Sequence, residues 1–218
     1  MIPLGDESRR PANFPAVTAF VIAANAIVFM LELAGGDAFV SRWSTVPADI
    51  VAGRHLETLI SSMFMHASWS HIIGNMIFLW AFGPEIEDTM GRVRYAGFYM
   101  AGGIVSALAQ IATDPSSTIP SLGASGAIAA VMGAFLVTYP HDRIRTVLFF
   151  GWMGRVSFVP AALLIGLWLF SQVINLGVVA ETQQGGVAYM AHVGGAIFGA
   201  VTAKLFERGG AAAGRPYA

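Results

Sequence analysis

Apolar residues fall into six long blocks along this chain, at about Pro15 to Ala34, Met63 to Phe82, Tyr95 to Ala112, Leu122 to Thr138, Val159 to Val179 and Val187 to Phe206. About 20 apolar residues in helical conformation cross about 30 Å of hydrocarbon, so each block is read as a membrane-spanning helix. The chain is 56% hydrophobic and only 11% charged over 218 residues, whereas a soluble surface needs about a quarter of the chain charged. The expected fold is therefore an all-α, multi-pass membrane bundle of six helices over residues 15–206. A cytoplasmic segment 1–14 precedes it, and a flexible Gly/Ala-rich cytoplasmic tail 207–218 follows. The first block comes after Arg9 and Arg10, as a signal sequence would, but it is too long and lacks a small-residue cleavage site, so it is read as a retained helix.

Basic residues set the expected orientation. With a cytoplasmic N-terminus, the inner segments hold Arg9, Arg10, Arg92, Arg94, Arg143, Arg145, Arg155, Lys204, Arg208 and Arg215, ten against the two outside, Arg42 and Arg54. That is a positive-inside asymmetry. Helices two, four and six then run inward, which places their N-terminal ends near the outer face. The outer connection Gly35 to Ser62 is long enough to imply a role, and the inner connection Tyr139 to Phe158, with Trp152 and Arg155, is expected to lie at the interface. A net charge of −1 excludes a nucleic-acid binder with a basic face. The absence of cysteine removes disulfides, thiol catalysis and cysteine-ligated metals.

Polar groups inside the spans are the functional candidates, because lipid penalises them. Carboxylates are scarce there, Glu32 lying at the end of the first span, which argues against an aspartyl protease or a carboxylate proton pump. His66, His71, Asn75, Ser125 and His192 remain, all near the outer ends of inward-running helices, with amides such as Asn25, Gln110, Gln172 and Asn175 scattered elsewhere. Ser125 lies in Gly123-Ala124-Ser125-Gly126 at a helix start, where free backbone N–H groups and the dipole could hold an oxyanion. A serine there is also a common N-cap. As a nucleophile it needs a base, and His192, Gly195 and Gly199 share one face of the sixth helix. Small residues on the fourth helix (Gly126, Ala130, Gly133) and on the sixth allow close approach in lipid, which would carry His192 to Ser125. His71 and Asn75, four apart, stack on one helical face and could donate to a developing negative charge; Asn75 could equally be interhelical glue. His66 and His71, about 140° apart on a helix, are poorly placed to share a metal.

His66-x4-His71-x3-Asn75, Gly123-Ala124-Ser125-Gly126 and Ala191-His192-x-Gly194-Gly195 with Gly199, in that order and at one depth, resemble the rhomboid intramembrane serine proteases over about Pro15 to Phe206. The resemblance implies Ser125 as nucleophile and His192 as general base in a dyad. It also implies His71, Asn75 and the Ser125 N–H as oxyanion stabilisers, and His66, Gly123, Gly126, Gly195 and Gly199 as supporting residues. It implies transmembrane protein substrates cut near or within their spans and no cofactor; the expected site of cutting is near the outer face, with entry beside the fifth helix under the Glu181 to Gly186 loop, and no metal is expected. The chain is expected in the cell or inner membrane of a prokaryote. Three positions depart from the family pattern: Glu57-Thr58 stand where some members carry Trp-Arg, and Ala129 stands where an aromatic often braces the base. The alternatives are a catalytically inactive, membrane-protein-binding relative and a small transporter using the histidines.

Overall fold

The computed structural model describes residues 1–151, 153–182 and 188–208, without the side chains of Phe150 and of residues 175–182. A helix lies on each apolar block: α1 (Ala16–Trp43), α4 (Trp69–Met90), α5 (Arg92–Ile111), α6 (Ser125–Thr138), α7 (Ala161–Thr182) and α8 (Tyr189–Phe206). The short helices α2 (Pro47–Val51) and α3 (Thr58–Ser61) and a 3-10 turn (Ser62–Phe64) lie between α1 and α4. Among the described residues, Ala16–Trp43 is the helix long and apolar enough to cross a membrane, while Ser125–Thr138 and Ala161–Ile174 are apolar but shorter.

The expected end of the first span coincides with a kink. Gly36 leaves helical geometry at φ 57, ψ −151, a conformation open to glycine, and the helix then resumes to Trp43. The connection Gly35 to Ser62 is thus largely helical, made of the end of α1, α2, α3 and the 3-10 turn. At its other end α1 is capped by a distant residue: buried Glu87 of α4 accepts from Val17 N (2.9 Å), Thr18 N (2.8 Å) and Thr18 Oγ1 (2.8 Å). Those backbone donors have no intrahelical partner.

Helix α6 is the centre of the molecule, buried at every position from Gly126 to Phe135. Its small residues let α8 approach until backbones touch. A Cβ on Gly133 would strike the Ala196 carbonyl, one on Gly199 the Ala130 carbonyl, and one on Gly195 the Gly126 carbonyl. Dispersion between close backbones supplies the adhesion that hydrophobic burial supplies in water. Larger aromatics fill the opposite end, where Phe82 meets Phe135 edge-on at 5.1 Å.

The all-α expectation needs correction. Strands β1 (Ile2–Asp6), β2 (Arg143–Phe150) and β3 (Met153–Pro160) form an antiparallel sheet in the order β1-β2-β3. The stretches Thr146-Val147-Leu148-Phe149 and Val156-Ser157-Phe158-Val159 are rich in β-branched and aromatic residues, which favour a pleated surface. Gly151, at φ 63, turns the hairpin. Segment 1–14 is therefore built into the fold, and Arg9 forks onto Asp142 through Nε–Oδ2 and Nη2–Oδ1 (2.9 Å for the latter). The first residues assigned to the tail also pack on the bundle: Arg94 Nη1 donates to the Glu207 carbonyl (2.6 Å) and Arg208 N to the Thr89 carbonyl (3.2 Å). Residues 209–218, Trp152, most of the Glu181 to Gly186 loop and the side chain of Asn175 lie outside the described residues.

Candidate active site

Ser125 is held from before its own helix. Thr45 and Ser121 exchange backbone hydrogen bonds (3.0 and 2.8 Å), and Gly123 N donates to the Ser62 carbonyl (2.9 Å). Thr45 Oγ1 bonds the Thr58 carbonyl and Ser62 Oγ, each at 2.8 Å. The α1–α4 connection thus clamps residues 121–123 and delivers the chain to α6 at a fixed angle. Gly123, at φ 135, makes the turn, and Ser125 opens α6 with its N–H free of any intrahelical acceptor. Gly126 leaves room for Ser106, whose hydroxyl donates to the Ala191 carbonyl (2.7 Å) and ties α5 to the residue before His192. Thr58, one of the two departures in the first connection, takes part in this clamp through its carbonyl. Glu57 pairs with Arg42 at 3.1 Å on the surface.

Helix α8 brings His192 to this point. His192 Nε2 lies 2.6 Å from Ser125 Oγ, a hydrogen-bonding separation between a base and a hydroxyl. The other ring nitrogen, Nδ1, lies 2.7 Å from Gln172 Oε1 on α7. The indole of Trp168, also on α7, faces the imidazole at 5.4 Å with a 39° tilt, and Tyr189 meets it edge-on at 6.4 Å. Since Ala129 offers no ring, α7 and the start of α8 supply the brace. Gln172 appears in the sequence only as one amide among several; its signal is its place in an apolar helix, where an amide must find a partner.

The second polar cluster differs from its expected arrangement. His66 lies before α4, not on it, because Ser68 caps that helix by accepting from His71 N (3.2 Å). The 140° separation of a continuous helix therefore does not apply, and the two rings meet at 5.0 Å. The buried Glu32 carboxylate accepts from His66 N (2.9 Å), a pairing the sequence gives no sign of. Asn75 and His66 bond through Asn75 Nδ2 and His66 Nε2 (2.9 Å). With the amide turned over, His66 Nε2–H donates to Asn75 Oδ1 instead. That arrangement leaves only a bare Nδ1 in the buried surroundings and releases the Asn75 NH2 as a donor. His71 approaches the serine more directly: its Cε1 and Nε2 lie 2.9 and 3.1 Å from where a Gly123 Cβ would stand, and Ser125 Oγ lies 3.6 Å from the same point. Hydroxyl and imidazole flank Gly123, so any side chain there would close the gap between them.

A cavity of about 40 Å³ adjoins Ser125, lined by Gln110, Ser106, Gly123 and Ala188 among others, room for about one water. A larger cavity, of about 570 Å³, lies at the other end of α4 among Arg92, Arg94, Arg208 and Asp88. It contains neither serine nor histidine, so size does not mark the chemistry here.

The Rhomboid domain family model matches residues 53–208. Among curated proteins the chain is similar to RHOMBOID-like protein 12, mitochondrial, of Arabidopsis thaliana, at 29% identity over 87% of this chain and 58% of that protein. It is also similar to presenilin-associated rhomboid-like protein, mitochondrial, of Homo sapiens (28% identity, 82% of this chain, 45% of that protein). Rhomboid protein 1, mitochondrial, of Saccharomyces cerevisiae matches at 28% identity over 74% of this chain and 44% of its own length. The chain spans about half the length of the curated relatives it matches. These relatives are named as mitochondrial, which overturns the expectation of a prokaryotic membrane. Members of the matched family are in general serine intramembrane proteases. With more than half of its length under the family model and a serine–histidine pair at the α6–α8 contact, the chain belongs to the Rhomboid family.

Proposed function

We propose that this chain is an intramembrane serine endopeptidase that cuts transmembrane segments of other membrane proteins, with Ser125 as nucleophile and His192 as general base. The observation that carries the reading is the 2.6 Å contact of Ser125 Oγ with His192 Nε2 at the meeting of two helix backbones. In this reading the six long helices all span the bilayer, both termini lie on one side, and the site sits toward the opposite face.

Ser125 Oγ attacks the scissile carbonyl carbon as His192 Nε2 takes the hydroxyl proton. The carbonyl electrons move onto oxygen, and the oxyanion is received by the Ser125 N–H, His71 and the Asn75 amide. Collapse breaks the C–N bond and the proton passes from His192 to the leaving amine. A water entering the cavity beside Ser125 then attacks the acyl-enzyme and gives a proton to His192; as the acyl–Oγ bond breaks, His192 returns that proton to Ser125 Oγ and the new C-terminal carboxylic acid leaves. The small cavity lined by Ser106, Gln110 and Ser125 gives that water a place beside the acyl group.

The test is cleavage of a generic transmembrane substrate by purified protein in detergent. Wild type should cut, Ser125→Ala should not, and a fluorophosphonate should label wild type alone. Cleavage retained by Ser125→Ala would overturn the assignment. A folded wild-type protein that neither cuts nor labels would favour the inactive, membrane-protein-binding relative.

A further inference from the structure

We infer that Gln172 is the third member of the catalytic arrangement, a positioning residue that sets the tautomer and the aim of His192. The inference rests on the serine-protease reading above.

The far end of the amide fixes its orientation. Gln172 Nε2 donates to the Trp168 carbonyl (3.2 Å) and to Ser171 Oγ (2.9 Å), and Ser171 Oγ donates in turn to the same Trp168 carbonyl (2.6 Å). A carbonyl can only accept, so the nitrogen of the Gln172 amide is the end that faces Trp168. The oxygen is therefore the end that faces His192 Nδ1 at 2.7 Å. An oxygen can only accept, so Nδ1 carries the proton. Neutral imidazole has one N–H, which leaves Nε2 as a bare lone pair 2.6 Å from Ser125 Oγ. This is the tautomer a general base needs, and it follows from two carbonyl groups acting through one amide.

Gln172 has the qualities the task requires. It is buried at 7% exposure, so water does not compete for Nδ1. Its amide is fixed at both ends, and Trp168, which supplies the anchoring carbonyl, also faces the imidazole with its ring. The resulting device is neutral. A carboxylate in this position would hold the tautomer equally well and stabilise the imidazolium more strongly, but would add a charge to a lipid-enclosed site at high desolvation cost. Among the described residues, the acceptor that faces His192 Nδ1 is thus an uncharged one of suitable reach.

The experiment measures fluorophosphonate labelling of Ser125 and steady-state cleavage for wild type, Gln172→Met, Gln172→Asn and Gln172→Glu, with Ser125→Ala as the null. Met fills the volume without the acceptor. Asn keeps the amide but withdraws it by one methylene, which separates loss of reach from loss of the amide itself. For both, labelling rate and kcat should fall by about 10–100-fold with KM unchanged, because the substrate does not touch Gln172 and only the aim of the base is lost. Gln172→Glu should recover most of kcat and move the acid limb of the kcat/KM profile upward by about one pH unit, as a carboxylate beside an imidazole does. A purely structural role would lower stability without moving that limb. Gln172→Met and Gln172→Asn with wild-type kcat, in a background where Ser125→Ala is dead, would overturn the inference and leave the protease reading standing. A wild type that neither labels nor cuts would overturn that reading instead.

Discussion

The tight backbone contact between α6 and α8 predicts that one methyl group will impair the site. Gly195 lies one turn along α8 from His192, and a Cβ there would collide with the Gly126 carbonyl and lie 2.7 Å from Ser106 Oγ. The obstacle is backbone, so rotamer changes offer no relief, and α8 must withdraw from α6 by about 1 Å to restore ordinary contact. If His192 moves with its helix, Nε2 and Ser125 Oγ part from 2.6 Å to about 3.6 Å, beyond hydrogen-bonding range. Gly195→Ala should therefore lower kcat/KM by about 10–100-fold and stability by about 1–3 kcal/mol. Rates should be normalised to folded protein, with thermal unfolding followed in the same detergent. Gly97→Ala on α5, where no atom lies within 4 Å of an added Cβ, is the matched control and should leave kcat/KM unchanged. If folded Gly195→Ala cuts as fast as wild type, the dyad is not held by the α6–α8 contact and the reasoning fails.

Two further outcomes concern the end of the bundle away from the site. Glu87→Ala strands the Val17 and Thr18 donors and should lower the unfolding free energy by about 1–3 kcal/mol. Urea or SDS denaturation measures this, and an unchanged midpoint would show that the donors find water instead. Burial, and then the neighbouring Asp142 carboxyl, pushes the Asp6 carboxyl up from 3.8 to about 7. A carboxyl pKa raised by folding favours the neutral acid in the native state, so this contribution is complete below pH 4 and is lost as pH rises through about 7. Amide hydrogen exchange in β1 and β2 should reveal more opening at pH 8 than at pH 5.5 once intrinsic rates are removed, and Asp6→Asn should abolish the difference. Equal protection at both pH values in wild type would contradict it.

The long helices were legible because an apolar block 20 residues long has few alternatives to helix. Ser125 and His192 stood out because glycines around a polar residue in lipid are unusual, and the small residues of α6 and α8 foreshadowed the contact that joins them. The sheet was not legible in the same way. Ile2 to Asp6 contains Pro3 and Gly5, poor strand residues on their own, and becomes a strand only against β2, more than a hundred residues away. Glu32 and Gln172 were visible only as polar residues in apolar helices. Their roles depend on partners from other helices, His66 N and His192 Nδ1, which spacing along one helix does not encode. Ser68 hid the true start of α4, because an N-cap in a run already read as helical leaves the hydrophobic pattern undisturbed.

The pairing of β1 with β2 also carries an arithmetic of sides. Ile2 stands opposite Val147 and Asp6 opposite Ile144, and hydrogen-bonded strands share one aqueous compartment. Between Asp6 and Arg143 the chain must therefore cross a bilayer an even number of times, whatever the distribution of its charges. In the proposed topology the interval holds four crossings, one for each of α1, α4, α5 and α6, which would satisfy this parity. Three crossings or five would divide a single sheet between two compartments.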